Sequence, residues 1–125
     1  MRLLLDSHAA LWWLSDPEKL SDEARLAIAS IENEVYLSSA SLWELHLKAA
    51  KGKLNIPPSL TEALSEQDID ELKISWKHTE RTRTLPPIHH DPFDRLLIAQ
   101  AQEDGLTLVT RDSQIHQYQV SILKA

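Results

Sequence analysis

Cysteine is absent from this chain of 125 residues. Disulfides, thiolate nucleophiles and thiolate zinc sites are therefore excluded. Glycine is almost absent too. Gly52 and Gly105 are the only two, too few for any glycine-rich phosphate loop. No His-Glu-x-x-His segment occurs. No apolar run approaches the roughly 20 residues that span a bilayer, and the stretch before Asp6 is too short for a signal-peptide core. The expectation is a soluble, cytoplasmic protein with no membrane partner. Positive charge is in deficit: 13 Lys and Arg face 19 Asp and Glu, for a formal net charge of −6. That argues against a general nucleic-acid coat, because phosphate binding by counterion release wants clustered cations. It leaves room for a nuclease whose acids hold divalent ions that then meet the phosphate.

What is present fits one domain over residues 1–125, long enough to bury about two-thirds of its unfolded surface. There is no internal repeat, low-complexity tract or linker, and Pro57-Pro58 and Pro86-Pro87 mark loops. Arg2 to Leu5 reads as a buried strand and His8 to Leu14 as a helix closed before Pro17. Ser21 is a candidate N-cap for a helix to about Ile31, with Ala24, Ile28 and Ile31 on one face. Val35 to Ser38 is a second strand and Ser41 to Ala50 a helix stopped near Gly52. Pro58 to Glu66 reads as a helix, Leu72 to Ser75 as a possible strand, and Trp76 to Arg83 as a helix. Asp91 as N-cap, Pro92 at the first position and Gly105 at the end frame the clearest helix. Leu106 to Thr110 is an apolar strand, and Gln119 to Leu123 a candidate edge strand. Apolar strands alternating with helices predict an α/β fold around a parallel sheet with helices on both faces.

In such sheets ligands bind beyond the carboxyl ends of the strands. Asp6 directly follows the first strand, and Asp112 lies two residues past the Leu106 to Thr110 strand. Glu44 and Asp94 are placed in the first turns of helices whose N-termini face the same edge. Four carboxylates from distant segments are thus expected to converge. Their mutual repulsion calls for a cation, and oxygen-only donors suit Mg²⁺ or Mn²⁺. Such ions can activate a water and stabilise the leaving oxygen of a phosphodiester. Each acid alone also has a plainer reading. Asp6 can end a strand and cap a turn, Ser41-x-x-Glu44 matches a capping box, Asp94 suits a helix dipole, and Asp112 can cap a turn.

Four segments resemble the PIN-domain toxins of the VapC group. They are Leu3-Leu4-Leu5-Asp6-Ser7-His8, Ser38-Ser39-Ala40-Ser41-Leu42-Trp43-Glu44-Leu45, His89-His90-Asp91-Pro92-Phe93-Asp94-Arg95-Leu96-Leu97-Ile98-Ala99-Gln100-Ala101 and Leu106-Thr107-Leu108-Val109-Thr110-Arg111-Asp112. The resemblance implies an α/β/α sandwich with a short, mainly parallel sheet. It also implies Mg²⁺- or Mn²⁺-dependent endoribonuclease activity on RNA, a small VapB-like antitoxin as partner, and a homodimer. It places Asp6, Glu44, Asp94 and Asp112 on the family's acidic positions, as catalytic and metal-holding residues, with Ser7 supporting the site through its hydroxyl. Thr110 can orient a carboxylate or simply finish its strand. Arg95, Arg111 and Lys48 are candidate RNA contacts, against the alternative of exposed, solvated side chains. His89 and His90 could be metal ligands or RNA contacts, but adjacent imidazoles point in different directions, which favours loop residues; Trp43 and Trp76 read as core or partly buried packing rather than base-stacking platforms. One of Trp12 and Trp13 is expected to pack inward and the other to line a partner surface.

Overall fold

A computed structural model describes residues 1–125. Five strands, β1 (Arg2–Leu5), β2 (Glu34–Ser38), β3 (Ile69–Leu72), β4 (Thr107–Thr110) and β5 (Ile122–Lys124), form one sheet in the order β3-β2-β1-β4-β5. Every neighbouring pair is parallel. In the register Leu3 stands between Val35 and Thr107, and Leu5 between Leu37 and Val109. The sheet is mostly central strand, so its strands are apolar on both faces.

Six α-helices connect the strands: α1 (Ser7–Ser15), α2 (Asp22–Ala29), α3 (Ser39–Ala50), α4 (Leu60–Glu66), α5 (Trp76–Thr82) and α6 (Pro92–Asp104). The two-residue alternation of β1 sorts the core into two halves. Leu3 and Leu5 pack with Ala9 and Ala10 of α1, Ala24 and Ile28 of α2, Leu45 of α3, and Leu60 and Leu64 of α4. Leu4 points the other way, into Leu97, Ile98 and Ala101 of α6 with Leu108 of β4. The result is a three-layer α/β/α sandwich, as expected.

Four local readings shift. Helix α2 stops at Ala29, which leaves Ile31 fully exposed rather than on an apolar face. The third strand is Ile69–Leu72, not Leu72 to Ser75, because Ser75 serves as the N-cap of α5. Helix α3 begins at Ser39 with Ser38 as its N-cap, so Ser41 and Glu44 do not form a capping box. Trp76 is 90 % exposed instead of packed, and Trp43, 60 % exposed, keeps an edge-to-face contact with Phe93. Helix α6 keeps its expected frame: the Asp91 side chain accepts from the amides of Phe93 and Asp94, Pro92 opens the helix, and Gly105 ends it at φ +65°. A left-handed residue at that position suits glycine.

The strand order reverses direction between β1 and β4. Chain growth runs outward through β2 and β3 on one side and through β5 on the other. The crevice past the carboxyl ends of β1 and β4 is thus the topological switch point where this class of sheet binds ligands.

Candidate active site

Asp6 leaves β1 at that switch point, with its backbone amide still bonded to Val109 in β4 (3.1 Å). It is also the N-cap of α1, its Oδ1 accepting the Ala9 amide at 2.8 Å. The capping reading and the site reading are therefore both satisfied by one carboxylate. Burial raises the Asp6 carboxyl above its usual range, against the pull of a hydrogen bond from the Thr110 hydroxyl. Thr110 is fully buried at the end of β4, and its oxygen also accepts the Asp112 amide at 3.1 Å. One hydroxyl thus steers two of the four acids, which favours the orienting role over mere completion of the strand.

Glu44 sits in the second turn of α3, with its side chain only 9 % exposed and Lys48 one turn on at 3.5 Å. Asp94 sits in the first turn of α6. Burial first, then repulsion from Asp91, pushes its carboxyl up to about 7; Glu44 and Asp112 push the same way, and His89 opposes them. Asp112 is more open. Partial burial raises it, but hydrogen bonds from His89 and the Gln114 amide outweigh that and hold it below the usual carboxylate range.

The structure brings all four sequence-derived acids to one place. Asp6, Glu44, Asp94 and Asp112 line a single cavity of about 330 Å³, together with Ser7, Lys48, Asp91 and Arg111. Ser7 is buried at the mouth of α1. Lys48 is a cation held against this acidic wall. The cavity holds no sulfur donor, and oxygen donors dominate. The Asp94 carboxyl is raised to about 7 by burial first, and the further push from Asp91, Glu44 and Asp112 records unbalanced negative charge. The residues fit a hard divalent cation on both counts.

Two of the candidate RNA contacts are otherwise engaged. Arg95 points away from the cavity and donates to the carbonyls of Thr82, Leu85, Pro86 and His89 and to the Tyr118 hydroxyl. Neither the phosphate-contact reading nor the solvated one describes it: its guanidinium is the clamp of the loop before α6. Arg111 donates from Nε and Nη2 to the Ala125 carbonyl at 3.0 and 2.8 Å and from Nη2 to the Lys19 carbonyl, while its guanidinium carbon lies 4.4 Å from the Trp12 ring centroid. It lines the rim but is committed to holding the C-terminus. Lys48 keeps a surface position at the cleft. Of the two tryptophans on α1, Trp12 lines the cavity under Arg111, and Trp13 turns its indole N–H into the protein without a partner.

Sequence reasoning weighed His89 as a metal ligand or RNA contact but preferred a loop residue, and so missed its place between two of the acids. His89 is buried, not a free loop residue, and its Nε2 lies 3.0 Å from an oxygen of Asp94 and 3.0 Å from an oxygen of Asp112. Its position two residues before the N-cap of α6 was the only available signal, since the Tyr118 that anchors its backbone lies 29 residues away.

The sequence profile of the PIN domain matches residues 3–121. Ribonuclease VapC22 of Mycobacterium tuberculosis is 30 % identical over 119 residues, covering 93 % of this chain and 91 % of that protein. Among solved structures, the VapBC2 complex of Rickettsia felis, crystallised with a DNA fragment from its promoter, aligns with a TM-score of 0.70 at 18 % identity, covering 98 % of both chains. FitAcB of Neisseria gonorrhoeae aligns at 0.63 and 19 % identity, over 98 % of this chain and 96 % of that one. The two structures share the fold. The profile match takes in the segments that deliver all four acids to the switch point, and on it the chain belongs to the PIN-domain family.

Proposed function

We propose that this chain is a divalent-metal-dependent endoribonuclease, the toxin of a toxin–antitoxin pair, acting in the cytoplasm. The observation that carries the reading is the convergence of Asp6, Glu44, Asp94 and Asp112 on one cavity at the sheet's switch point. Similarity to a protein named a ribonuclease over nine-tenths of both chains supports RNA as the substrate class. Similarity in fold to a VapBC complex supports a small VapB-like antitoxin as partner, and a homodimer goes with that reading.

Asp6, Glu44, Asp94 and Asp112 would hold Mg²⁺ or Mn²⁺. Such an ion, when bound, supplies Lewis acidity toward a water and a phosphodiester oxygen. The chain's own residues do the rest. Asp6 lines the cavity and is fixed in orientation by the Ala9 amide and the Thr110 hydroxyl. Asp94, whose carboxyl is pushed up to about 7 by burial and then by Asp91 while no ion is bound, is the acid whose charge a divalent cation would relieve most. Ser7 offers a hydroxyl beside Asp6. Lys48 offers a positive charge to a phosphate that approaches an otherwise negative wall. The N-termini of α3 and α6 add partial positive charge at the same edge.

The direct test is purified protein with single-stranded RNA, with and without EDTA. Cleavage should stop on chelation and return with Mn²⁺. Asp6→Asn keeps an N-cap acceptor for α1, so it should fold normally yet cut at least ~100-fold more slowly. Full activity in EDTA, or in Asp6→Asn, would overturn the reading.

A further inference from the structure

His89 is held at every polar atom it has. Its backbone amide donates to the Tyr118 hydroxyl at 2.8 Å, and that hydroxyl donates in turn to the Pro86 carbonyl at 2.8 Å. Its carbonyl accepts from Arg95 at 3.2 Å. Its ring Nδ1 accepts the Asp91 amide at 3.1 Å. An imidazole nitrogen that accepts an N–H has its lone pair in use, so the ring proton must sit on Nε2. That N–H donates to Oδ2 of Asp112 at 3.0 Å and faces Oδ2 of Asp94 at the same distance. The three atoms lie within 4.8 Å of one another.

This spacing alone would suit His89 as a third ligand to one ion. The hydrogen bonds argue otherwise. To ligate, Nε2 would have to lose its proton to Nδ1, which would then oppose the Asp91 amide, itself fixed at the head of α6. We propose that His89 is a positioning residue: its imidazole ties Asp112, from beyond β4, to Asp94, on α6, and sets the spacing of these two acids for a divalent ion without binding that ion. The inference rests on the metal-dependent reading above. It adds a purpose for the Arg95 and Tyr118 network, which fixes the backbone that carries the ring. Two carboxylates on separate elements repel each other. A shared N–H donor between them offsets that repulsion before any ion arrives, while the Gln114 amide holds the other oxygen of Asp112 at 2.8 Å.

The experiment titrates Mn²⁺ alone into the full chain by calorimetry, for wild type, His89→Ala, His89→Gln and Tyr118→Phe. Pulsed EPR of the bound Mn²⁺ reads nitrogen coupling directly. Removing a partner that orients a metal-holding carboxylate costs about 10–100-fold in affinity, and His89→Ala should fall in that range. His89→Gln puts an amide N–H where Nε2 stood and should recover most of the loss. Tyr118→Phe leaves the ring intact but frees its backbone anchor, and should weaken binding by about 2–10-fold. It tests the same network if His89→Ala fails to fold. The EPR of wild type should show no directly bound imidazole. Four results overturn the inference: His89→Ala binding Mn²⁺ as tightly as wild type, His89→Gln folding but binding no better than His89→Ala, Tyr118→Phe matching wild type, or an imidazole coupling that vanishes in His89→Ala. Wild type taking up no Mn²⁺ sinks the metal reading itself, and this inference with it.

Discussion

Asp94 and Asp112 shift the energetics of the cleft in opposite ways. Asp94 is a carboxyl pushed up to about 7 by burial and by the acids around it. A group whose pKa is higher in the folded chain than in the unfolded one favours folding while protonated. Without divalent ions, its contribution therefore declines as pH rises from about 4 to about 7 and is fully lost above that. Asp112, held below its ordinary range, acts in the reverse sense, but only at more acid pH. Asp94→Asn should accordingly flatten the decline between pH 4 and 7. It should also stabilise the metal-free chain at pH 8 by on the order of 1–3 kcal/mol, as read by urea unfolding at a series of pH values. An unchanged slope would show that Asp94 is not under this strain. Arg95 is the opposite case, a charge with its donors satisfied by the loop it clamps. Arg95→Ala strands several loop acceptors and should cost about 2–4 kcal/mol by urea unfolding. Arg95→Lys should recover little, since one ammonium cannot span the acceptors that a planar guanidinium reaches. A lysine variant as stable as wild type would contradict the clamp.

At the scale of the element, the site is a product of helix ends. Asp6 and Asp91 are N-caps of α1 and α6, Asp94 lies in the first turn of α6, and Glu44 lies in the second turn of α3. Helix α6 carries the most, so both of its ends matter. Gly105 closes it at φ +65° with no atom within 4 Å of where a Cβ would stand. Gly105→Ala should thus cost about 1 kcal/mol from backbone strain alone, read as a lowered melting temperature with RNA cleavage unchanged. A loss well above that would mean the turn into β4 shifts. The frame of α6 was legible in Asp91, Pro92 and Gly105 because cap chemistry is local. The start of α3 was not. Ser38, Ser39 and Ser41 can each cap a helix, and the apolar spacing of Leu42, Leu45 and Ala49 does not choose among them. Burial of Ser38 at the end of β2 decides it.

Across the whole molecule, the placement of the four acids followed from a rule of topology. Parallel strands joined by right-handed crossovers send their carboxyl ends, and the N-termini of the intervening helices, to one edge. Asp6, Glu44, Asp94 and Asp112 could be placed there from their positions after strands and at helix starts. The side chains that organise them could not. Thr110 steers Asp6 and Asp112, His89 spans Asp94 and Asp112, and Tyr118 and Arg95 hold His89. These are contacts between residues far apart in the chain, with no period or motif to mark them. The same distance hides the fate of Arg111, whose partners are Lys19 and Ala125. Net charge is likewise a poor guide to this protein's partners. A formal −6 is spread over the surface, while the field that an RNA phosphate meets depends on how a few clustered carboxylates are neutralised. That neutralisation is the centre of the account, and the most direct measurement is Mn²⁺ uptake by calorimetry at pH 7.5 in wild type and in Asp6→Asn, Glu44→Gln, Asp94→Asn and Asp112→Asn. Saturable uptake in wild type, weakened about tenfold or more in each variant while all four stay folded, is the predicted result. Uptake that all four single changes leave intact would contradict it.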